Sequence, residues 1–123
     1  MDKSNYLSFD YMFKDELCAT VVVTKDGKIN VTNYSDEPIK CPFGIRTDYN
    51  LNDLYDFLGE RCFEQSRPEC ADFLKAMGLE HYDVIDILRN THGLLWEDLF
   101  WIRFHDKRDL TWKDVSEEFN FWR

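Results

Sequence analysis

The sequence predicts an α+β fold, with a small antiparallel sheet (an N-terminal hairpin plus a strand at 99–104) packed against three to four short helices. Three observations carry that prediction. The first 34 residues alternate apolar and polar side chains or run apolar around an Asp-Gly turn. The middle of the chain repeats its apolar residues at helical spacing between capping signals, and an aromatic, β-type run then follows a helix-stopping glycine. With 123 residues, 44% hydrophobic and 16% aromatic, there is material for one core and one domain. Its parts are 1–48, mainly β; 49–93, helical; and 94–123, a strand followed by a C-terminal helix or tail.

Each element has a local reason. Apolar and polar residues partly alternate from Tyr6 to Phe13, and the run Cys18-Ala19-Thr20-Val21-Val22-Val23 leads into Lys25-Asp26-Gly27-Lys28. Asp-Gly supplies the positive φ of a tight hairpin turn, so Ile29, Val31 and Tyr34 belong to the return strand. Cys41-Pro42-Phe43-Gly44-Ile45 reads as a buried loop with Phe43 in the core. Asn50 or Asn52 caps a first helix whose Leu51, Leu54, Tyr55, Leu58 and Cys62 form one apolar stripe, leaving Asp53 and Asp56 in water. Ser66 and Glu69 have capping-box spacing for a second helix that stops at Gly78. Asp83 caps a third, closing between Asn90 and Gly93. In the run from Leu99 to Phe104, Phe100, Ile102 and Phe104 share one face, and Trp101 and Arg103 the other. Thr111 with Asp114 starts a last helix or turn carrying Trp112, Val115 and Phe119.

Composition excludes several classes of function. A net charge of −9 opposes binding to nucleic-acid phosphates and to anionic membranes, and suits a partner protein with a basic face. No apolar run reaches the roughly 18–20 residues of a membrane helix. Cys18, Cys41, Cys62 and Cys70 form no CxxC pair and the start of the chain is polar, which predicts reduced thiols in the cytoplasm. Cys41, Cys62, Cys70 and His81 or His92 match no zinc spacing, and there is neither a nucleophile elbow nor a phosphate-cradling loop. The expectation is therefore a non-enzymatic domain with no catalytic residue, metal or cofactor; an enzyme reading would rest on His92 and Asp98.

What remains is recognition. Trp96, Phe100, Trp101 and the C-terminal Trp122 are rings large enough to anchor either a core or an interface. Arg61 and Arg67 flank Phe63 and serve either as a bidentate fork for an anion or as braces at helix ends. These six residues are the expected protein-binding set.

Pro42-Phe43-Gly44, Arg61, Ser66-Arg67, Leu79, His92-Gly93-Leu94, Asp98, Phe100-Trp101-Ile102 and Leu110-Thr111-Trp112-Lys113-Asp114-Val115 occur in an order that resembles the N-terminal accessory domain of some bacterial HipA-like toxin kinases. The similarity covers residues 40–116 and is best over Gly93 to Ile102, although Leu95 and Trp96 stand where that family has Ser and Leu. The chain holds no ATP-binding loop, catalytic aspartate or magnesium ligand of the kinase core, so what the resemblance implies is an accessory or antitoxin-like regulator, with a HipA-like kinase as its partner. A basic nucleic-acid-binding protein is the other partner that the charge suggests, as for a mobile-element inhibitor of a host defence nuclease of the anti-CRISPR kind. The oligomeric state is left open by the sequence.

Overall fold

The computed structural model describes residues 5–95 and 99–121, with side chains for 7–95 and 99–117. Strands β1 (Asn5–Phe13), β2 (Glu16–Thr24), β3 (Ile29–Asn33) and β4 (Phe100–Phe104) form one antiparallel sheet in the order β3-β2-β1-β4. Helices α1 (Leu51–Glu60), α2 (Cys70–Ala76) and α3 (Val84–Thr91) lie between β3 and β4 in the chain, and α4 (Trp112–Phe121) follows β4. The expected small α+β architecture is therefore the observed one, with the 99–104 strand joining the sheet beside β1.

Period-two alternation sorts the side chains onto two faces. Phe9 and Tyr11 of β1, Val21 and Val23 of β2, and Ile102 and Phe104 of β4 share a cluster with Leu54, Leu58, Ile87 and Leu88 of the helical layer. The opposite parity, Met12 and Trp101, packs with Leu94 and Val115, flanked by Leu17, Leu110 and Trp112. Both faces of β4 are thus covered, one by the helices α1 and α3 and the other by the start of α4.

The Asp-Gly hairpin forms as predicted, with Gly27 at φ +84° and the Thr24 N–H donating to Lys28 O at 2.9 Å. A second hairpin joins β1 to β2 through Lys14 and Asp15, where Phe13 pairs with Glu16 and Lys14 takes φ +51°. Nothing in Lys-Asp announces that turn. Trp101 holds it instead: its Nε1 donates to Lys14 O at 2.6 Å.

Local capping explains most helix boundaries. Asn50 and Asp53 form a reciprocal capping box at α1, and Asp53 is also ion-paired to Arg46. The buried face of α1 is Leu54 and Leu58 with Phe57 against the core, whereas Leu51 and Tyr55, expected in the stripe, are more than a third exposed. The start of α2 also departs from expectation. It begins at Cys70 after Glu69, without a side-chain cap, and Ser66 lies in the preceding turn. Pro68 accounts for this, since its ring disfavours helical backbone at Arg67 and so a start at Ser66. The α2 end is the expected one: Gly78 at φ +76° lets its N–H reach Lys75 O and the Leu79 N–H reach Leu74 O at 2.8 Å. Phe43 is half-buried, stacked on Tyr49 with ring centroids 4.2 Å apart, while Ile45 stands 84% exposed.

The end of α3 fastens the helical layer to the sheet. Asp83 caps its start by accepting from the Asp86 N–H, and His92 and Gly93 then take left-handed φ of +59° and +69°. This turns the His92 carbonyl onto β4, where it accepts the Ile102 N–H at 2.7 Å. A Cβ on Gly93 would sit 3.2 Å from Ile102 Cγ1 in addition to the left-handed strain. Gly93→Ala should therefore lower unfolding free energy by about 2 kcal/mol, read as a lower urea midpoint at unchanged m-value; an unchanged midpoint would mean this junction does not constrain the fold.

Candidate functional site

The helical segment carries somewhat more than half of the net negative charge. Residues 49–93 hold nine acids against four bases, which accounts for five of the nine net negative charges, and eight of those nine acids are exposed. Two of the four bases are committed elsewhere: Arg61 is buried, and Arg89 is paired with Asp106 while lying 4.3 Å from the Phe104 ring centroid. The outer surface of this layer therefore keeps a net negative charge, although Asp53 is paired with Arg46 and Glu69 with Arg67.

Within it lies an open cleft of about 890 Å³ lined by Tyr55, Asp56, Gly59, Glu60, Cys62, Phe63, Glu64, Arg67 and Leu95. The helical rise places Asp56, Gly59 and Glu60 on one edge of α1, and the chain reversal after Arg61 brings Phe63, Glu64 and Arg67 opposite. Asp56, Glu60 and Glu64 form no ion pair among the described residues. Phe63 is fixed from behind, edge-on to Phe73 and Tyr82, with the Tyr82 hydroxyl donating to Phe63 O. Burial pushes the Cys62 thiol up to about 12, so at neutral pH it is a protonated wall of the cleft and not a nucleophile. The cleft has the composition of a receptor for a cationic group: three carboxylates, two rings and one arginine.

The expected recognition residues are distributed differently from the sequence reading. Trp101 is fully buried and Phe100 is 5% exposed, stacked on Tyr11 with centroids 5.0 Å apart. Their rings belong to the interior, which removes them from any docking surface of this fold. Arg61 is also internal: its Nε donates to Gly93 O at 3.0 Å and its Nη2 to Phe100 O at 2.7 Å, bracing the end of α1 against β4. Arg67 lies on the cleft, 3.5 Å from Glu69 and over the Phe73 ring at 5.5 Å. The two arginines do not form one anion fork. Trp96 and Trp122 lie outside the described residues, as do Glu97 and Asp98. His92 is at the α3 terminus, and no three His, Cys, Asp or Glu side chains are placed to share a metal ion among the described residues.

A second polar cluster escaped the sequence reading. Asp10, in the middle of β1, has no exposed surface, and its Oδ1 accepts from Thr20 Oγ1 at 3.1 Å and Arg108 Nη2 at 2.9 Å. Its Oδ2 accepts from Arg103 Nη2 at 2.9 Å and Arg108 Nε at 3.1 Å, and His105 Nε2 lies 2.8 Å from Oδ1. Burial alone would raise the carboxyl, but hydrogen bonds from Arg108, His105 and Arg103 outweigh it and hold Asp10 at about 2. With its oxygens saturated by the protein, this carboxylate is a structural tie and leaves no position for a substrate. The signal in the sequence was faint: an acid on the same parity as Met12, and arginines at 103 and 108 separated from it by about ninety residues.

No known protein-family model, curated protein or solved structure matches the chain.

Because Asp10 lies below its ordinary value of about 3.9, its contribution to stability is fully present above pH ~4 and is lost as pH falls through about 2. Asp10→Asn leaves two guanidiniums facing a neutral amide and should destabilise the fold by about 3 kcal/mol at neutral pH. Urea titrations of both proteins should converge as pH approaches 2; a constant gap between pH 7 and 2 would contradict the ionic role of Asp10.

Proposed function

We propose that this is a non-enzymatic protein-binding domain that docks a basic surface of its partner against the acidic helical layer, with the Tyr55–Arg67 cleft as the centre of contact. The observation that carries this reading is the row of exposed carboxylates, Asp56, Glu60 and Glu64, which form no ion pair among the described residues and are set between two rings on one side of the molecule. Such a surface steers and orients a cationic partner, and rings flanking carboxylates receive lysine or arginine side chains along both their aliphatic and their charged parts. The burial of Trp101 and Phe100 supports a contact through the helices over one through the aromatic strand. The resemblance to HipA-like accessory domains nominates a HipA-like kinase of the same bacterial host as the partner, with this domain as its regulator.

The polarised charge also favours a second reading, an anti-CRISPR-like inhibitor encoded on a mobile element, whose carboxylates would occupy the nucleic-acid channel of a host defence nuclease. Competition separates the two readings, because a duplex oligonucleotide should displace such an inhibitor from its nuclease and leave a kinase complex intact.

The test is binding of purified host HipA-like kinase, and separately of purified defence nuclease, to immobilised wild-type domain and to a triple Asp56→Lys, Glu60→Lys, Glu64→Lys variant. All three side chains are exposed, so the fold should survive. Wild-type retention should fall as salt rises, and the triple variant should bind at least about tenfold more weakly. Equal retention of both proteins at low salt would overturn docking through this layer.

A further inference from the structure

The two edges of the sheet end differently. The outer edge of β4 is occupied, since the Ile102 N–H donates to His92 O and Phe100 O accepts from Arg61. The outer edge of β3 carries no backbone hydrogen bond among the described residues, with only an open groove toward Tyr49–Asn52 beside Ile29. In the β2–β3 ladder the Thr24 N–H donates to Lys28 O and the Tyr34 N–H donates to Cys18 O, with Val22 opposite Asn30 and Thr20 opposite Thr32 between them. Antiparallel hydrogen bonding alternates, so residues 28, 30, 32 and 34 turn their backbone groups toward β2, and Ile29, Val31 and Asn33 turn theirs outward. Those outward groups meet no partner among the described residues.

Exposed edges are normally blunted by lysine, proline or a bulge. In a chain that is 32% charged, the stretch Ile29-Asn30-Val31-Thr32-Asn33-Tyr34-Ser35 contains no charge and no proline, and the β2–β3 register runs without a shift. The half-buried Ile29 and Val31 lie at the margin of the core, so their outer flanks end at this edge.

We infer that β3 is a dimerisation edge, pairing antiparallel with β3 of a second copy of this chain about a two-fold axis at Val31. In that register all three outward residues meet one another, Val31 against the second copy's Val31 and Ile29 against its Asn33. Together they make roughly six backbone hydrogen bonds. Lys28 falls opposite the second copy's exposed Tyr34, an attractive cation and ring pair at each end. The product is a continuous eight-stranded sheet with both apolar β3 margins joined at its centre. The two-fold axis stands perpendicular to the sheet, so both helical layers lie on one side and the acidic surface is doubled. The two negative layers repel across the dimer, and added salt therefore strengthens this association. This is opposite to the salt dependence of basic-partner docking, so failure of one reading is not failure of the other.

Sedimentation equilibrium of the full chain over a range of concentrations at low and high salt tests the inference, alongside Val31→Pro and Thr32→Lys. Proline at 31 removes an outward N–H and trims a half-buried side chain but is compatible with an edge position, and lysine at 32 adds a charge to an exposed side chain. The expected result is a reversible dimer that tightens with salt, weakened about tenfold or more in each variant. Amide protection at Val31 and Asn33 should also rise with protein concentration. If Val31→Pro does not fold, Thr32→Lys decides alone. A wild-type chain that stays monomeric at both salts, or folded variants that dimerise as tightly as wild type, would overturn it.

Discussion

A carboxylate with no solvent exposure must be met by donors, and Asp10 is met from three directions: from β2 by Thr20, from β4 by Arg103, and from the turn after β4 by His105 and Arg108. Burying that charge without them would be prohibitive. The requirement sets the register of β4, because Arg103 pairs with Asp10 only when Phe104 lies opposite Phe9 and Trp101 opposite Met12. That register sends Phe100, Ile102 and Phe104 toward the helices and Trp101 to the other face. Drawing residues 105–108 back over the sheet also aims the chain so that Val115 of α4 reaches Met12 and Trp101. A single buried charge thus organises the second layer of the protein.

Arg61 performs the corresponding task on the helical side. Its guanidinium spans the carbonyls of Gly93 and Phe100 beneath the Tyr11 ring, at 6.0 Å from the centroid, joining α1 to the loop that delivers β4. Phe100, Trp101 and Arg61 are accordingly consumed by the interior, and the exposed surface of the helical layer is rich in carboxylates.

Features set by neighbours in the chain were legible in the sequence, and those set by distant residues were not. Asp26-Gly27, Asn50, Asp83, Gly78 and Thr111 with Asp114 each act within a few residues, and each sits where the sequence placed it, whereas Asp53, expected simply in water, closes the capping box of Asn50 and pairs with Arg46. Ser66 misled because Pro68 forbids the helix its spacing suggests. The Lys14-Asp15 turn has no local signature, since its conformation is held by Trp101 from the far end of the chain. Strand alternation correctly divided Trp101 from Phe100 but could not say that both faces would be covered. The candidate cleft was half visible: Arg67, Phe63 and Glu64 stood out as a loop, while their apposition to Asp56 and Glu60 depends on the path of the chain after α1. Asp10 was invisible, for a lone acid in a strand looks like any solvated one until its partners arrive.

The strand order implies a particular sequence of assembly. The hairpins of β1, β2 and β3 require only the first 33 residues, whereas β1 finds its other neighbour only when residues 100–104 reach it. Closing so long a loop is entropically slow. During synthesis, Phe9, Tyr11 and Asp10, still without its arginine partners, must therefore wait at an unprotected margin until residues 100–108 have left the ribosome. The nascent protein is most vulnerable to mispairing in that interval, and the arrival of Arg103 and Arg108 ends it.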